Sequence, residues 1–192
     1  MLFRSTTKPI GFGVWVQKFR VPIGFVVAGL YLFFARPRPA TLAVGGAVAL
    51  VGVLIRAWAA GHIVKNDRLA TTGPYAHTRN PLYFGSFLIA CGFALIASPW
   101  FLLAVAVFWA LVYGPTIRRE REHVSALYPD AYAEWARHVP SFVPRPLPWR
   151  QGNLDEAEPF SLGLYLRHRE WQAGLVYVVA MGWLYFRMRS GF

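Results

Sequence analysis

The chain has 192 residues, of which 56% are hydrophobic and only 15% are charged, and its mean hydropathy is +0.36. Soluble domains carry roughly 25% charged residues, so this composition disfavours a soluble enzyme and excludes a disordered, collagen-like or coiled-coil chain. The net charge of +11 comes from 20 Lys and Arg against 9 Asp and Glu. Most of these basic residues flank apolar runs, as in membrane proteins, so we expect the bilayer and no nucleic acid as a partner.

Five apolar stretches predict an all-α, integral membrane helical bundle of about five transmembrane helices: Val21–Ala35, Ala40–Gly61, Leu82–Ala97, Trp100–Pro115 and Trp171–Phe186. Only Ser98 and Pro99 separate the third and fourth stretches, which indicates a tight antiparallel hairpin. The first stretch is short, but no small-residue cleavage site follows it, so we interpret it as a helix and not as a signal peptide. The whole chain, residues 1–192, is then a single membrane domain.

The charged residues predict a multi-pass protein with its N-terminus in the cytoplasm. In that orientation most of the 20 Lys and Arg residues lie on the inner side, as the positive-inside rule requires. All 9 carboxylates and all 5 histidines also lie there. We therefore expect any active site at the cytoplasmic face. The one cysteine, Cys91, excludes an internal disulfide and a cysteine-based zinc site, and no metal is predicted.

The first polar motif, Gly73–Gly85, predicts a turn followed by the start of a helix. Asn80 is placed to cap this helix and Pro81 to occupy its first position. A helix N-terminus beside an arginine suits a carboxylate or a phosphate. The alternative is a well-capped interfacial helix whose arginine contacts lipid phosphate. Three polar side chains stand just before the predicted helix: Tyr75, His77 and Arg79.

The second motif, Arg118–His123, follows the fourth apolar stretch. Carboxylates close to a membrane helix are costly unless they are paired or face a polar cavity. Glu120 and Glu122 would point to different faces of a helix, so they form a poor acid–base pair. The alternative is a solvated, charged helix end.

In this order the two motifs resemble the isoprenylcysteine carboxyl methyltransferase and phospholipid methyltransferase family of membrane enzymes. That family's pattern is Gly-Pro-Tyr, Arg-His-Pro-x-Tyr-x-Gly, a helical hairpin, Glu-Glu-x-x-Leu, Phe-Gly-x-x-Tyr-x-x-Tyr and Val-Pro-x-Phe-x-Pro. This chain has GPY at 73–75, RNPLYFG at 79–85, ER at 120–121, YPDAYAEW at 128–135 and VPSFVP at 139–144. The likeness covers about 40–145 and leaves an extra C-terminal helix at about 160–187.

The resemblance implies a methyltransferase that uses S-adenosyl-L-methionine at the cytoplasmic face and a lipophilic acceptor: a lipid amine, an isoprenyl carboxylate or a hydrophobic thiol. Arg79 would bind the methionine carboxylate and Glu120 its ammonium group. The candidate catalytic residues are Arg79, Glu120 and Glu122. The candidate cofactor-binding residues are Tyr75, His77, Arg79, Asn80, Pro81, Tyr83, Gly85 and Glu120. Candidates on the substrate side are His62, Lys65, Tyr132 and Trp135.

Two departures from the family pattern bear on these roles. Asn80 stands where the family usually has His, and Arg121 replaces the second Glu, with Glu122 one position further on. Which of the two carboxylates serves the site is therefore open. A carboxylate acceptor needs no base, whereas an amine or thiol must lose a proton, for which the candidates are His62, His77, His123 and Glu122. Arg56, inside the second apolar stretch, is interpreted as a side chain that snorkels to the interface.

Two other functions are compatible with the chain. The first is an NADPH-dependent membrane reductase of the related sterol-reductase type, which shares a His-Pro-x-Tyr-like element. The chain is short for that group, and Ser86 follows Gly85 where those enzymes tend to have Glu. The second is a non-catalytic lipid-binding membrane protein, which the departures at Asn80 and Arg121 favour. The acceptor and the oligomeric state are not determined by the sequence.

Overall fold

A computed structural model describes residues 29, 31–32, 35–63, 68–150 and 159–191. Every regular element within these ranges is helical, which confirms the all-α class. Most of the predicted first helix, Val21–Ala35, lies outside the described residues. The chain divides into two compact units, Met1–Ala35 and Arg36–Phe192. The elements below belong to the second unit, and the single domain over 1–192 remains a prediction.

The first two helices, α1 (Pro39–Ala60) and α2 (Pro81–Ala97), pack closely through glycines. Both begin with a proline at the first helical position, where the missing N–H costs nothing. A Cβ at Gly45 or Gly92 would collide with the carbonyl oxygen of the other glycine, and Gly52 and Gly85 form a second pair of this kind. Small residues at such crossings let two membrane helices approach at backbone distance.

The second arm of the hairpin is one continuous helical rod. It consists of α3 (Phe101–Phe108), a π-helical turn (Trp109–Tyr113) and α4 (Gly114–Leu127). Pro115 has no N–H for the preceding turn, and the helix widens into the π-turn just before it. The rod ends at Leu127, whereas the predicted apolar stretch ends at Pro115. Apolar composition predicts which part of a helix can lie in a membrane, and a helix can continue beyond that part.

The remaining helices are α5 (Pro129–His138), α6 (Leu162–Arg167) and α7 (Trp171–Ser190). The predicted C-terminal helix at about 160–187 is thus two helices, separated by a turn in which Arg169 has a φ of 55°. The C-terminal segment lies against α1. The Tyr177 hydroxyl donates to the carbonyl of Gly46 over 3.1 Å, and the N–H of Ser161 donates to the carbonyl of Gly61 over 2.9 Å.

Two of the described helices are long and apolar enough to cross a membrane, Pro39–Ala60 and Phe101–Leu127. The apolar helix Pro81–Ala97 is shorter, with 17 residues. These helices support a membrane protein, whereas the count of about five spans remains a prediction.

Candidate functional site

Backbone hydrogen bonds tie the first sequence motif to the segment that follows α5. A short 3₁₀ turn, Gly73–Ala76, precedes the loop that leads to α2. The N–H of Arg79 donates to the carbonyl of Pro140 over 2.9 Å. In the other direction, the carbonyls of Ala76 and His77 accept from the N–H groups of Trp149 and Arg145, each over 2.9 Å. The segment after α5 therefore holds the loop before α2 in place.

Two side chains of this loop strengthen the same junction. Asn80 Nδ2 donates to the carbonyl of Ser141 over 2.7 Å, and Thr78 Oγ1 donates to the carbonyl of Phe142 over 2.9 Å. The helix begins at Pro81 as predicted, but the Asn80 side chain makes no capping hydrogen bond. Its amide instead joins two distant parts of the chain, which sequence spacing alone does not reveal.

A small hydrophobic cluster lies beneath this junction. Tyr75, Ala59, Trp135 and Val139 are all buried there, and Leu82 packs against them. Trp135 Nε1 donates to the backbone carbonyl of Tyr75 over 3.0 Å, which satisfies a buried indole. The cluster fixes the 3₁₀ turn against α1 and α5.

A cleft opens between the loop 68–80 and the helices α4 and α5. It brings together six of the predicted site residues: Tyr75, Arg79, Asn80, Glu120, Tyr132 and Trp135. Arg68, Arg121 and His123 also line it. Among the described residues, the cleft therefore combines several cationic groups with one carboxylate, that of Glu120.

Arg79 is a cleft residue with an unsatisfied buried donor among the described residues. Its Nη1 donates to the Tyr132 hydroxyl over 2.9 Å, and its guanidinium carbon lies 5.7 Å from the centre of the Tyr132 ring. Its Nε is buried and has no hydrogen-bond partner among the described residues. A buried donor without a partner is costly, and a guanidinium pairs best with a carboxylate or phosphate. The geometry suits an anionic group bound in the cleft.

Tyr75 contributes a neutral phenol to the cleft. Burial raises the pKa of the Tyr75 hydroxyl well above its ordinary value, and the carboxylates of Glu120 and Glu170 raise it further. The charge of Arg56 acts in the opposite direction. Because the neutral form persists at physiological pH, Tyr75 can donate a hydrogen bond there but cannot act as a base.

Four other predicted residues do not line this cleft. Pro81 is buried at the start of α2, and Tyr83 packs against Tyr113 with 5.7 Å between ring centres. Gly85 faces the carbonyl of Gly52 and the stem of Arg56, so its space is filled by helix packing. Glu122 is exposed on α4.

The two predicted histidines are used in packing. His77 Nδ1 lies 2.9 Å from the carbonyl of Arg145, and its ring centre lies 5.9 Å from that of Trp58. His62 is buried, and its Nδ1 lies 2.9 Å from the carbonyl of Trp58. Lys65 lies outside the described residues. Within those residues, no three His, Cys, Asp or Glu side chains gather as a metal site.

Sequence reasoning missed an ion pair beside the cleft. Arg56 is held by Glu170, with 2.7 Å between Nη2 and Oε1 and 3.0 Å between Nε and Oε2. The interpretation of Arg56 as a snorkelling side chain did not include this pair, in which a carboxylate from the C-terminal segment reaches its guanidinium. The signal was present in the sequence, since a charged residue inside an apolar helix usually has an opposite charge nearby.

The comparisons with known proteins place the chain in a family. The sequence profile of the phospholipid methyltransferase family matches residues 40–131. The protein-S-isoprenylcysteine O-methyltransferase of Schizosaccharomyces pombe is 31% identical over 90 residues, which cover 43% of this chain and 38% of that protein. The chain therefore belongs to the family of phospholipid and isoprenylcysteine carboxyl methyltransferases, a class of membrane methyltransferases.

Two bacterial relatives match more of the chain. The cobalt-zinc-cadmium resistance protein CzcN of Cupriavidus metallidurans is 34% identical over 141 residues, covering 69% of this chain and 63% of that protein. The nickel-cobalt-cadmium resistance protein NccN of Alcaligenes xylosoxydans is 32% identical over 143 residues, covering 73% and 67%. The chain thus spans less than two thirds of the CzcN relative. These two names describe resistance and no reaction. No solved structure matches the chain significantly.

Proposed function

We propose that this protein transfers a methyl group from S-adenosyl-L-methionine to a lipophilic acceptor in the membrane. The observation that carries the proposal is the buried Nε of Arg79, which has no partner among the described residues, in the same cleft as the carboxylate of Glu120. An amino acid carries both a carboxylate and an ammonium group, and these two side chains are complementary to that pair. Family membership supplies the reaction class.

The residues of the cleft fit this cofactor. In the proposal Arg79 binds the methionine carboxylate, Glu120 binds the ammonium group, and Tyr75 donates from its neutral phenol. The rings of Tyr132 and Trp135 line the same cleft, and aromatic faces stabilise a nearby sulfonium cation. Asn80 supports the site by holding the loop to the carbonyl of Ser141. Glu122 lies outside the cleft and has no role in this proposal.

The protein's contribution to the reaction is mainly positional. When bound, S-adenosylmethionine supplies an activated methyl group for in-line displacement by the acceptor. Correct orientation of two reactants can lower a barrier by ~7–11 kcal/mol. A carboxylate acceptor requires no base. For an amine or thiol acceptor, His123 is the histidine that lines the cleft, whereas His62 and His77 are engaged in packing.

We propose a multi-pass arrangement of about five spans, with the N-terminus and the cleft at the cytoplasmic face. Two cysteine variants in a Cys91→Ser background test this orientation. A membrane-impermeant maleimide should label Ser98→Cys, in the hairpin turn, from outside intact cells. It should label Ser125→Cys, on α4, only after the membrane is permeabilised. Labelling with the opposite sidedness would reverse the topology.

The function is tested by calorimetric titration of the detergent-purified protein. S-adenosylmethionine is one ligand and reduced nicotinamide adenine dinucleotide phosphate the other. We expect saturable binding of the sulfonium compound alone, followed by transfer of labelled methyl groups into a lipid extract. Binding of the nicotinamide alone would indicate the reductase, and binding of neither would favour the non-catalytic lipid-binding protein.

A further inference from the structure

The C-terminal segment contributes a charge to the core of the protein through Glu170. The Glu170 carboxylate holds Arg56 with both oxygens, at 2.7 and 3.0 Å. The two side chains are only 13% and 25% exposed, respectively. A two-pronged pair between Arg and a carboxylate fixes orientation as well as distance. The carboxylate therefore determines where the Arg56 guanidinium points.

The third nitrogen of this guanidinium is directed at the start of α2. Arg56 Nη1 donates to the Ser86 hydroxyl and lies 3.4 Å from the carbonyl of Leu82. The stem of Arg56 passes over Gly85, where any side chain would collide with it. Arg56 thus joins the end of α1 to the first turns of α2, and Glu170 holds it in that position.

These first turns directly follow two residues of the cleft, Arg79 and Asn80. Leu82 packs on the cluster that contains Tyr75 and Ala59, and Ala59 lies one turn beyond Arg56 on α1. Residues three apart on a helix share a face. The charges of Glu170 and Arg56 also act on the Tyr75 phenol. The ion pair and the wall of the cleft are therefore one connected packing unit.

Further contacts dock the segment that supplies Glu170. His168 Nδ1 lies 3.3 Å from the carbonyl of Ala60, and the Tyr177 hydroxyl donates to the carbonyl of Gly46. Gly61 leaves room for the ring of Phe160, which its Cβ would strike. All of these residues of the C-terminal segment lie beyond residue 131, where the family match ends.

We propose that Glu170 is a positioning residue of the methyl-donor site: by orienting Arg56 against α2 it sets the position of Arg79 and Tyr75. The inference rests on the proposed function. The C-terminal helices α6 and α7 then contribute to the binding site, in addition to any role in anchoring the protein in the membrane. Removing the carboxylate leaves Arg56 without its partner in a largely apolar region, so its guanidinium turns away and the start of α2 shifts.

The test compares Glu170→Gln with Glu134→Gln. The control removes the same charge from an ion pair of similar length, Arg137 Nη1 to Glu134 Oε2 at 2.9 Å, whose side chains are 71% and 40% exposed. Titration of each purified variant with S-adenosylmethionine gives a dissociation constant and the fraction of molecules that bind. We expect Glu170→Gln to raise the dissociation constant about tenfold or more, because even a small displacement of Arg79 and Tyr75 weakens their contacts with the ligand. The control should match the wild type.

The two fitted quantities separate positioning from folding. If Glu170 only stabilised the fold, its variant would bind with the wild-type dissociation constant and a reduced fraction of competent molecules. That result would overturn the inference and leave the proposed function intact. Failure of the wild type to bind would overturn both.

A second variant, Ser86→Ala, keeps the ion pair and removes only the contact on α2. It therefore provides the test if Glu170→Gln does not fold. We expect Ser86→Ala to raise the dissociation constant about threefold or more, by loss of one hydrogen bond to a charged group. An unchanged constant in that variant would overturn the inference.

Discussion

Arg79 Nη1 donates a hydrogen bond to the Tyr132 hydroxyl over 2.9 Å, which joins the loop before α2 to α5. One nitrogen of this side chain is thereby fixed, while its buried Nε remains without a partner among the described residues. The fixed nitrogen orients the guanidinium of a residue that lines the cleft. A side chain held in place before binding is preorganised, because less of its conformational freedom is lost when a ligand arrives.

The role of Arg79 can be measured directly. Arg79→Ala should weaken S-adenosylmethionine binding by about tenfold to a hundredfold, since a hydrogen bond to a charged group contributes about 1.5–3 kcal/mol. Titration calorimetry gives the affinity, and thermal unfolding shows whether the variant folds. Arg137→Ala, which removes an exposed arginine from α5, is the control and should bind normally. Normal affinity in Arg79→Ala would remove the assignment of the carboxylate.

The two carboxylates of α4 provide a matched pair. Glu120 lines the cleft and Glu122, two residues further along, does not. We expect Glu120→Gln to lower the affinity for S-adenosylmethionine by up to about fivefold, because exposed ion pairs contribute about 0.2–1 kcal/mol. Glu122→Gln should have little effect. If the larger effect belonged to Glu122, the orientation of the ammonium group in the proposal would be wrong.

The buried Tyr75 phenol predicts a loss of stability in alkali. Its pKa is raised in the folded state, so it stabilises the fold fully below its unfolded value of about 10 and progressively less as pH rises above that. One such group lowers the free energy of unfolding by at most about 1.4 kcal/mol per pH unit. Melting temperatures from pH 8 to pH 11 should fall less steeply for Tyr75→Phe than for the wild type. The same slope in both would show that the phenol ionises freely in the fold.

The close packing of α1 and α2 can be tested by comparing a substitution at Gly85, which is crowded, with one at Gly182, which is not. Gly85→Ala places a Cβ against the carbonyl of Gly52 and the stem of Arg56, and overpacking of this kind costs about 1–3 kcal/mol. Gly182→Ala, on α7, meets no heavy atom within 4 Å and should gain up to about 1 kcal/mol from helix propensity. Thermal unfolding of both variants in one detergent measures the difference. Equal melting temperatures would contradict the close contact of α1 and α2.

Much of the fold follows from the sequence alone. The apolar stretches beginning near residues 40, 82, 100 and 171 all became helices, and the start of α2 at Pro81 was predicted to the residue. Prolines and apolar runs act locally, so their effects can be predicted without knowledge of the rest of the chain. The second motif was considered as a charged helix end, but the end of the rod at Leu127 was not predicted, because the apolar stretch stops at Pro115.

The candidate site was predicted in part. The motif around Arg79 and the carboxylate of Glu120 were singled out, and both line one cleft. Gly85 and His77 belong to the same motif but serve packing, since a motif records residue types and not the direction of a side chain. His123 was considered only as a base, and its place in the cleft depends on how α4 lies against the loop 68–80.

By itself the sequence determined the helical class, the family and the motifs that carry its chemistry, because these depend on local pattern and residue type. The tertiary structure decided which members of the motifs share a cleft, that Asn80 binds the carbonyl of Ser141, and that Glu170 reaches Arg56 across 114 positions. Contacts between residues so far apart depend on the packing of whole helices. No local pattern encodes that packing.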